Sequence, residues 1–231
     1  MNSELLIVIP AYNEQDNIEN VVEYIIGNYP QYDYVVVNDG SKDRTAEICR
    51  ANGYELLDLP VNLGLAGAFQ AGLKYAYTKG YSYAIQFDAD GQHRPEFIQA
   101  MLNRIKEGYD IVIGSRFLNV RKDKSARMIG SRMITVAIKL TTGIRVSDPT
   151  SGMRMFSREM IKEFAQNLNY GPEPDTVSYL LKNGAKISEV QVKMEERQFG
   201  ESYLNILGSA RYMIRMLVSI ILVQNFRKRN K

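Results

Sequence analysis

Cysteine occurs once in this 231-residue sequence, and so does histidine. Cys49 alone closes no intramolecular disulfide and has no companion at zinc-ligand spacing, a usage that suits a reducing compartment, so a cytoplasmic protein is expected. Charge of one sign is scarce as well. A net charge of +3 is too small an excess for a nucleic-acid partner. What excess there is lies in two places: Arg116, Arg121, Lys122, Lys124, Arg127 and Arg132 in one segment, and Arg227, Lys228, Arg229 and Lys231 at the end. The sequence also lacks an uninterrupted apolar run of the roughly 20 residues needed to cross a bilayer. Its most apolar late stretch, SYLNILGSARYMIRMLVSIILVQNF, is broken by Arg211 and Arg215. The opening MNSELLIVIP has an acid at position 4 and only a short apolar run, unlike a secretory signal, and reads as a first strand.

Apolar content is ample, at 45% of residues, which is enough for a sizeable single-domain core. Short β-branched runs alternate with helical patterns: LLIVIP and NIENVVEYII, YVVVND and RTAEICRA, YELLDL and AGAFQAGLKYAY, YAIQFD and PEFIQAMLNRI, then DIVIGS. This alternation predicts parallel strands joined by crossover helices in an open, doubly wound α/β sheet. In the first helix Ile18, Val21, Val22, Ile25 and Ile26 form an apolar stripe, with Asp16 and Glu19 expected as a capping pair. After Gly114 the pattern predicts a basic loop, a helix near Ser131 to Thr142, a turn-rich VSDPTSG and a late strand ISEVQVKM, with this half covering the open edge of the sheet.

In such sheets ligands bind beyond the carboxyl ends of the strands. Three predicted strands end in polar clusters: Pro10, Ala11, Tyr12, Asn13 and Glu14; Asn38 and Asp39 followed by Gly40, Ser41, Asp43 and Thr45; and Asp88 and Asp90. Asn13 to Asp16 and Asp39 to Thr45 read equally as turns and caps. Two carboxylates placed one residue apart repel unless a cation lies beside them, and hard Mg²⁺ or Mn²⁺ takes carboxylate, water and substrate phosphate oxygens. Gln92 adds an amide oxygen nearby. A calcium loop starting at Asp88 is excluded, because its glycine and glutamate places hold His93 and Gln99. His93 remains open between a further ligand and a structural role. The spacing of Gly64, Gly67 and Gly72 is not that of a dinucleotide fingerprint, and no GK[ST] follows a glycine-rich loop. The segment NLGLAGAFQAG reads either as a close-packed helix start or as a ligand contact.

Taken in order, PAYNE, NDGSKDRT, NLG with GA, FDADGQHRPE, GSR, DPTSGMR and RQFGES resemble the family 2 glycosyltransferases. Within that family the order is similar to dolichyl-phosphate mannose synthases and bacterial polyprenyl-phosphate hexosyltransferases, over residues 5 to 203. The resemblance implies a GT-A fold in residues 1–203, a Rossmann-like, mostly parallel sheet flanked by helices, followed by an amphipathic helix and basic tail in 204–231. It implies a nucleotide-sugar donor and Mg²⁺ or Mn²⁺. By position, Pro10, Tyr12, Glu14 and Asp39 would hold base and ribose; Asp88, Asp90 and Gln92 the metal and diphosphate; Arg116, Arg127, Arg197 and Ser202 the acceptor phosphate. Asp90, Arg116 and Arg197 are the expected catalytic set. Asn38, where the family often has an acid, and Tyr203, where it often has a lysine, depart from the pattern and bear on ribose and acceptor contacts.

The implied reaction is inverting transfer of one hexose to polyprenyl phosphate at the inner membrane face, with UDP-glucose or UDP-N-acetylglucosamine favoured over GDP-mannose as donor. A phosphate acceptor needs no catalytic base, since its second pKa of about 6 leaves it largely ionised at neutral pH. Tryptophan is absent, so the QxxRW element of the family's processive synthases is not there. The C-terminal helix is expected to lie in the membrane interface with its basic tail on anionic headgroups; a core or subunit-interface helix is the other reading. The resemblance also points to a small membrane-protein subunit or a homo-oligomer as partner. A family 2 enzyme acting on a sugar hydroxyl, and a non-catalytic nucleotide-sugar-binding protein, are the alternatives.

Overall fold

The computed structural model describes residues 3–167, 171–195, 206–224 and 227. Strands β1 (Leu5–Ala11), β2 (Asp33–Asp39), β3 (Leu56–Leu59), β4 (Tyr83–Gln86), β5 (Ile111–Ser115), β6 (Arg154–Ser157) and β7 (Ile187–Gln191) form one sheet in the order β3-β2-β1-β4-β6-β5-β7. All pairings are parallel except those of β6, which runs antiparallel between β4 and β5. The central strands are buried on both faces, which is why LLIVI, VVV and IVI appear as continuous apolar runs rather than alternating ones.

Helices cover both faces. On one side α1 (Ile18–Asn28), α2 (Thr45–Ala51) and α4 (Ile98–Ile105) pack on Leu5, Ile7, Ile9, Val36, Ile85 and Met155. On the other, α3 (Gly64–Lys79), α5 (Ala126–Thr142), α6 (Arg158–Gln166), α7 (Pro174–Lys182) and α8 (Ile206–Val218) enclose Leu6, Val8, Val35, Val37 and Phe156. A three-layer α/β domain results. Gly72 lets α3 approach the sheet closely: a Cβ there would stand 2.2 Å from Val8 Cγ1.

Several expectations are corrected. Asp16 and Glu19 do not cap α1; the N-cap is Asn17, which makes no side-chain capping bond and donates from Nδ2 to Glu14 instead. The expected helix from Ser131 starts earlier, at Ala126, where Ser125 Oγ accepts from the Met128 amide. The second half does more than cover an edge. It inserts β6 into the sheet and adds β7 as the edge strand beyond β5.

Chain order reverses across β1, whose neighbours are β2 and β4. The carboxyl ends of β1, β2, β4 and β5, and the loop entering antiparallel β6, therefore meet at one edge of the sheet. α8 packs against α5 and α7, burying Met216 and continuing to a buried Ile220, while its opposite face stays outside. Among the described residues no helix is long and apolar enough to cross a membrane.

Candidate active site

The first two polar loops are laced together. Asn13 takes a positive φ of 56°, the αL conformation that asparagine tolerates. Its amide donates to Ser41 Oγ, its Oδ1 accepts from the Lys42 amide, and the Glu14 amide donates to the buried Thr45 Oγ1. Asp43 accepts from the Gln15 and Thr45 amides. The turn-and-cap reading thus holds for Asn13, Ser41, Asp43 and Thr45, whose bonds fix the loop that carries Tyr12 and Glu14. Asn38 is spent on its neighbour strand, donating to Asp58 Oδ1 at 2.6 Å. Asp39 is buried and accepts from the Leu63 amide at 2.7 Å. Gly40 is required here, since a Cβ on it would lie 2.6 Å from the Asn62 nitrogen.

Pro10, Tyr12, Glu14, Asp39, Asp88 and Asp90 line one cavity of about 430 Å³ whose far wall includes Asn62, Gly64, Leu65 and Ala68. The close-packing reading of the NLGLAGAFQAG segment holds at Gly72, and the segment's first turn borders the cavity. Gln92 is not among the lining residues; its amide donates to Asp90 Oδ1 at 3.0 Å and its carbonyl accepts from the Glu195 amide.

Asp88 is held from several directions. Gln86, buried on β4, donates to its Oδ1 at 3.1 Å, and the Asp88 amide donates to His93 Nδ1 at 2.8 Å. That bond makes Nδ1 the unprotonated nitrogen and leaves the Nε2 proton facing Asp88 Oδ2, 3.4 Å away. His93 is buried against the Phe87 ring with both nitrogens turned to Asp88. Gly152 closes the remaining side, where a Cβ would come 2.7 Å from Asp88 Oδ2.

A divalent ion suits this corner. The donor set is two carboxylates beside an open cavity, all hard oxygen, matching Mg²⁺ or Mn²⁺ rather than a softer metal. Among the described residues no group of three or more His, Cys, Asp or Glu side chains could hold a metal unaided. Substrate oxygens and water would have to complete the shell.

The loop from Asp148 to Met153 joins this corner to a second one. Arg116, just past β5, donates from Nε and Nη2 to Asp148 at 2.7 and 2.9 Å, and its amide donates to the same carboxylate. Asp148 is fully buried. Burial alone would push its carboxyl up, but the hydrogen bonds and charge of Arg116 outweigh this and hold it below the usual carboxylate range. Arg154, which sequence reasoning missed, braces the loop from beneath: its buried guanidinium donates to the Ser151 and Pro149 carbonyls. An arginine opening a short apolar run, RMFS, was the available signal.

Beside Arg116 lies a larger cavity of about 630 Å³, walled by Phe117, Leu118, Lys122, Arg132, Lys139 and Arg145 among others. Lys122 donates to Ser131 and Thr135 hydroxyls and stacks over Phe117 at 5.3 Å; among the described residues no carboxylate lies within ion-pair distance of it. Burial is the main cause that pulls its pKa down from the usual lysine value. Of the expected acceptor residues, Arg197 and Ser202 lie outside the described residues, and Arg127 sits in the first turn of α5 with its side chain also outside them.

An open α/β sheet with paired carboxylates at its topological switch and a cationic cavity nearby is a site suited to a metal-assisted enzyme acting on phosphate-bearing substrates. Residues 6–164 match the family described as Glycosyl transferase family 2, and the chain belongs to it, with the GT-A fold. It is similar to a polyprenol monophosphomannose synthase of Mycolicibacterium smegmatis, 29% identical over 87% of this chain and 80% of that one. It is also similar to a UDP-N-acetylglucosamine–dolichyl-phosphate N-acetylglucosaminyltransferase of Methanococcus voltae, 31% identical over 82% and 84%. Among solved structures, glucosyl-3-phosphoglycerate synthase of Mycobacterium tuberculosis, bound to Mn²⁺, UDP-glucose and phosphoglyceric acid, superposes with a TM-score of 0.69 at 20% identity, covering 96% of this chain and 79% of that one. That likeness is one of fold.

Proposed function

We propose that this enzyme transfers a single hexose, with inversion, from a nucleotide sugar to polyprenyl phosphate at the cytoplasmic face of a membrane. The observation that carries the reading is the stretch Ser147–Met153, which touches the carboxylate corner through Gly152 and lines the cationic cavity through Ser147. Donor and acceptor sites built into one rigid piece are what a direct transfer requires. The names of the two relatives, both polyprenyl- or dolichyl-phosphate sugar transferases, support the acceptor class.

In this reading Pro10, Tyr12, Glu14 and Asp39 hold base and ribose, and Asp88 and Asp90, with Gln92 behind them, hold Mg²⁺ or Mn²⁺. The ion, when bound, neutralises charge on the departing diphosphate. An acceptor phosphate oxygen bonds to the anomeric carbon from the face opposite the leaving group, and the bond from that carbon to the diphosphate oxygen breaks, its electron pair leaving with the nucleotide. No proton has to be removed, because the acceptor is already an anion. Lys122 and Arg132, with Arg197 and Ser202, screen that anion, while Arg116 fixes the wall between the two sites. The donor is a uridine nucleotide sugar, glucose or N-acetylglucosamine, as in the name of the Methanococcus relative and the ligand of the fold neighbour. GDP-mannose is the competing donor.

The test uses the purified chain with Mn²⁺, each labelled donor in turn and detergent-solubilised polyprenyl phosphate. The expected product is a labelled lipid whose sugar is released by mild acid, and Asp90→Ala lowers turnover by at least about a thousandfold. Labelling of a sugar hydroxyl but not of the lipid phosphate would overturn the reading.

A further inference from the structure

Gln86 ends β4, in register with Val8 of β1 on one side and Arg154 of β6 on the other, and is 1% exposed. An amide sealed between strands ordinarily finds an acceptor for its nitrogen and a proton donor for its oxygen. Here only the nitrogen is used. Nε2 donates to Asp88 Oδ1 at 3.1 Å, while Oε1 has no hydrogen-bond partner among the described residues. Arg154, its partner across the ladder, spends its guanidinium on the Ser151, Pro149 and Glu173 carbonyls instead. Burying an acceptor without a donor costs stability, and an apolar side chain of similar length would avoid that cost.

Asp88 accounts for the amide. The carboxylate side chain is 34% exposed at the cavity and would be free to swing there, but Gln86 holds its Oδ1 and His93 Nε2 stands 3.4 Å from its Oδ2. Among the described residues two other buried side-chain atoms are likewise unbonded, Ser115 Oγ and Gln224 Oε1, and neither side chain bonds a carboxylate of this cavity. The kind of donor matters as much as its place. A lysine or arginine at position 86 would pair with Asp88 and repel a divalent ion from it, whereas a neutral amide orients the carboxylate and leaves its full charge for the ion.

We propose that Gln86 is a positioning residue for the divalent ion: its amide fixes the rotamer of Asp88 toward the ion, and the unbonded oxygen is the stability given up for that hold. The residue lines neither cavity, so it acts through Asp88 and touches neither substrate. The inference rests on the reading of Asp88 and Asp90 as the ion site.

Gln86→Met keeps the length of the side chain and removes the hydrogen-bond donor. Gln86→Leu, a second apolar replacement, separates the lost donor, common to both variants, from a packing fault peculiar to one. Mn²⁺ binding to the full chain is titrated by electron paramagnetic resonance with UDP and, separately, GDP present and no acceptor, and each protein is melted in chelator. Both variants are expected to bind Mn²⁺ about 10–100-fold more weakly. Their melting temperatures in chelator should lie within about 5 °C of the unaltered chain or above it, because loss of the bond to Asp88 and removal of the orphaned oxygen oppose one another. Turnover should fall at limiting Mn²⁺ and recover as Mn²⁺ is raised. Melting temperatures lowered further than this in both variants, the mark of a purely structural amide, would overturn the proposal, and so would turnover that stays depressed at saturating Mn²⁺. Mn²⁺ bound equally by all three chains removes the proposal alone; an unaltered chain that retains no Mn²⁺ with either nucleotide removes the ion site and the proposal with it.

Discussion

Gly152 stands so near Asp88 that a methyl group on it would fall 2.7 Å from the carboxylate oxygen and 3.4 Å from His93 Cε1. The clash is with the end of a rotatable side chain, so the fold can absorb it by turning Asp88 aside. Gly152→Ala is therefore expected to melt within about 1 kcal/mol of the unaltered protein while losing about tenfold or more in kcat/KM. Raising Mn²⁺ should restore part of that loss. Metal titration of activity, read beside a thermal melt, checks the separation.

Arg116 and Asp148 give a pH dependence whose sign is fixed. The folded pKa of Asp148 lies below its unfolded value, so the pair's contribution is full above the unfolded carboxylate pKa of about 4 and is lost as pH falls through the lower folded value. Stability from this pair is thus flat from neutral pH down to about pH 5 and declines only in stronger acid. Asp148→Asn leaves a largely covered arginine without its counter-charge and is expected to cost about 3–5 kcal/mol at pH 7. In urea unfolding across pH, the variant should show a shallower acid limb. An identical acid limb would mean that other carboxylates set it.

Much of this architecture is legible in the sequence where physics leaves a local trace. Parallel strands buried on both faces print as VVV and IVI, and Asp88 and Asp90 stand out because acids seldom follow a buried strand so closely. What escapes depends on partners far along the chain. β6 is only four residues long and begins with Arg154, whose burial makes sense only once the Pro149 and Ser151 carbonyls are seen accepting from its guanidinium. Gln86 looks like an ordinary strand residue until Asp88 is found on its amide. The capping pair at Asp16 and Glu19 failed because Glu14 binds Asn17 and the preceding loop is tied to Ser41 and Thr45, contacts some thirty residues away that no local pattern reveals.

Cys49 offers a test of the core on the α1 side. It is fully buried on α2, and burial pushes its thiol up to about 11, with Asp58 adding to the rise. Both effects suppress the thiolate that reacts. In native protein at pH 8 a disulfide reagent is expected to label it only at the rate of local opening, with transferase activity unaffected. Full labelling should appear as soon as urea unfolds the chain. Rapid native labelling would show that α2 opens independently.

The last test concerns α8 and the helical turn Ser219–Val223 that continues it, which are bonded to the start of α7. The Tyr212 hydroxyl donates to the Glu173 carboxylate, and Ser219 Oγ donates to Asp175 at 2.6 Å. Burial, reinforced by Glu173, raises the Tyr212 phenol well above its ordinary value, so it stays protonated and keeps donating throughout the neutral range. Because the folded pKa is raised, the neutral phenol's contribution is full below the unfolded value of about 10 and is lost only in stronger alkali. Tyr212→Phe removes the donor while keeping the ring, and it should cost about 1–2 kcal/mol. The loss should be localised: amide hydrogen exchange is expected to quicken in residues 206–218 and at the start of α7, while β1 and β2 keep their protection. If exchange quickened uniformly across the sheet instead, α8 would be part of the global folding unit rather than an element clasped to it through Glu173 and Asp175.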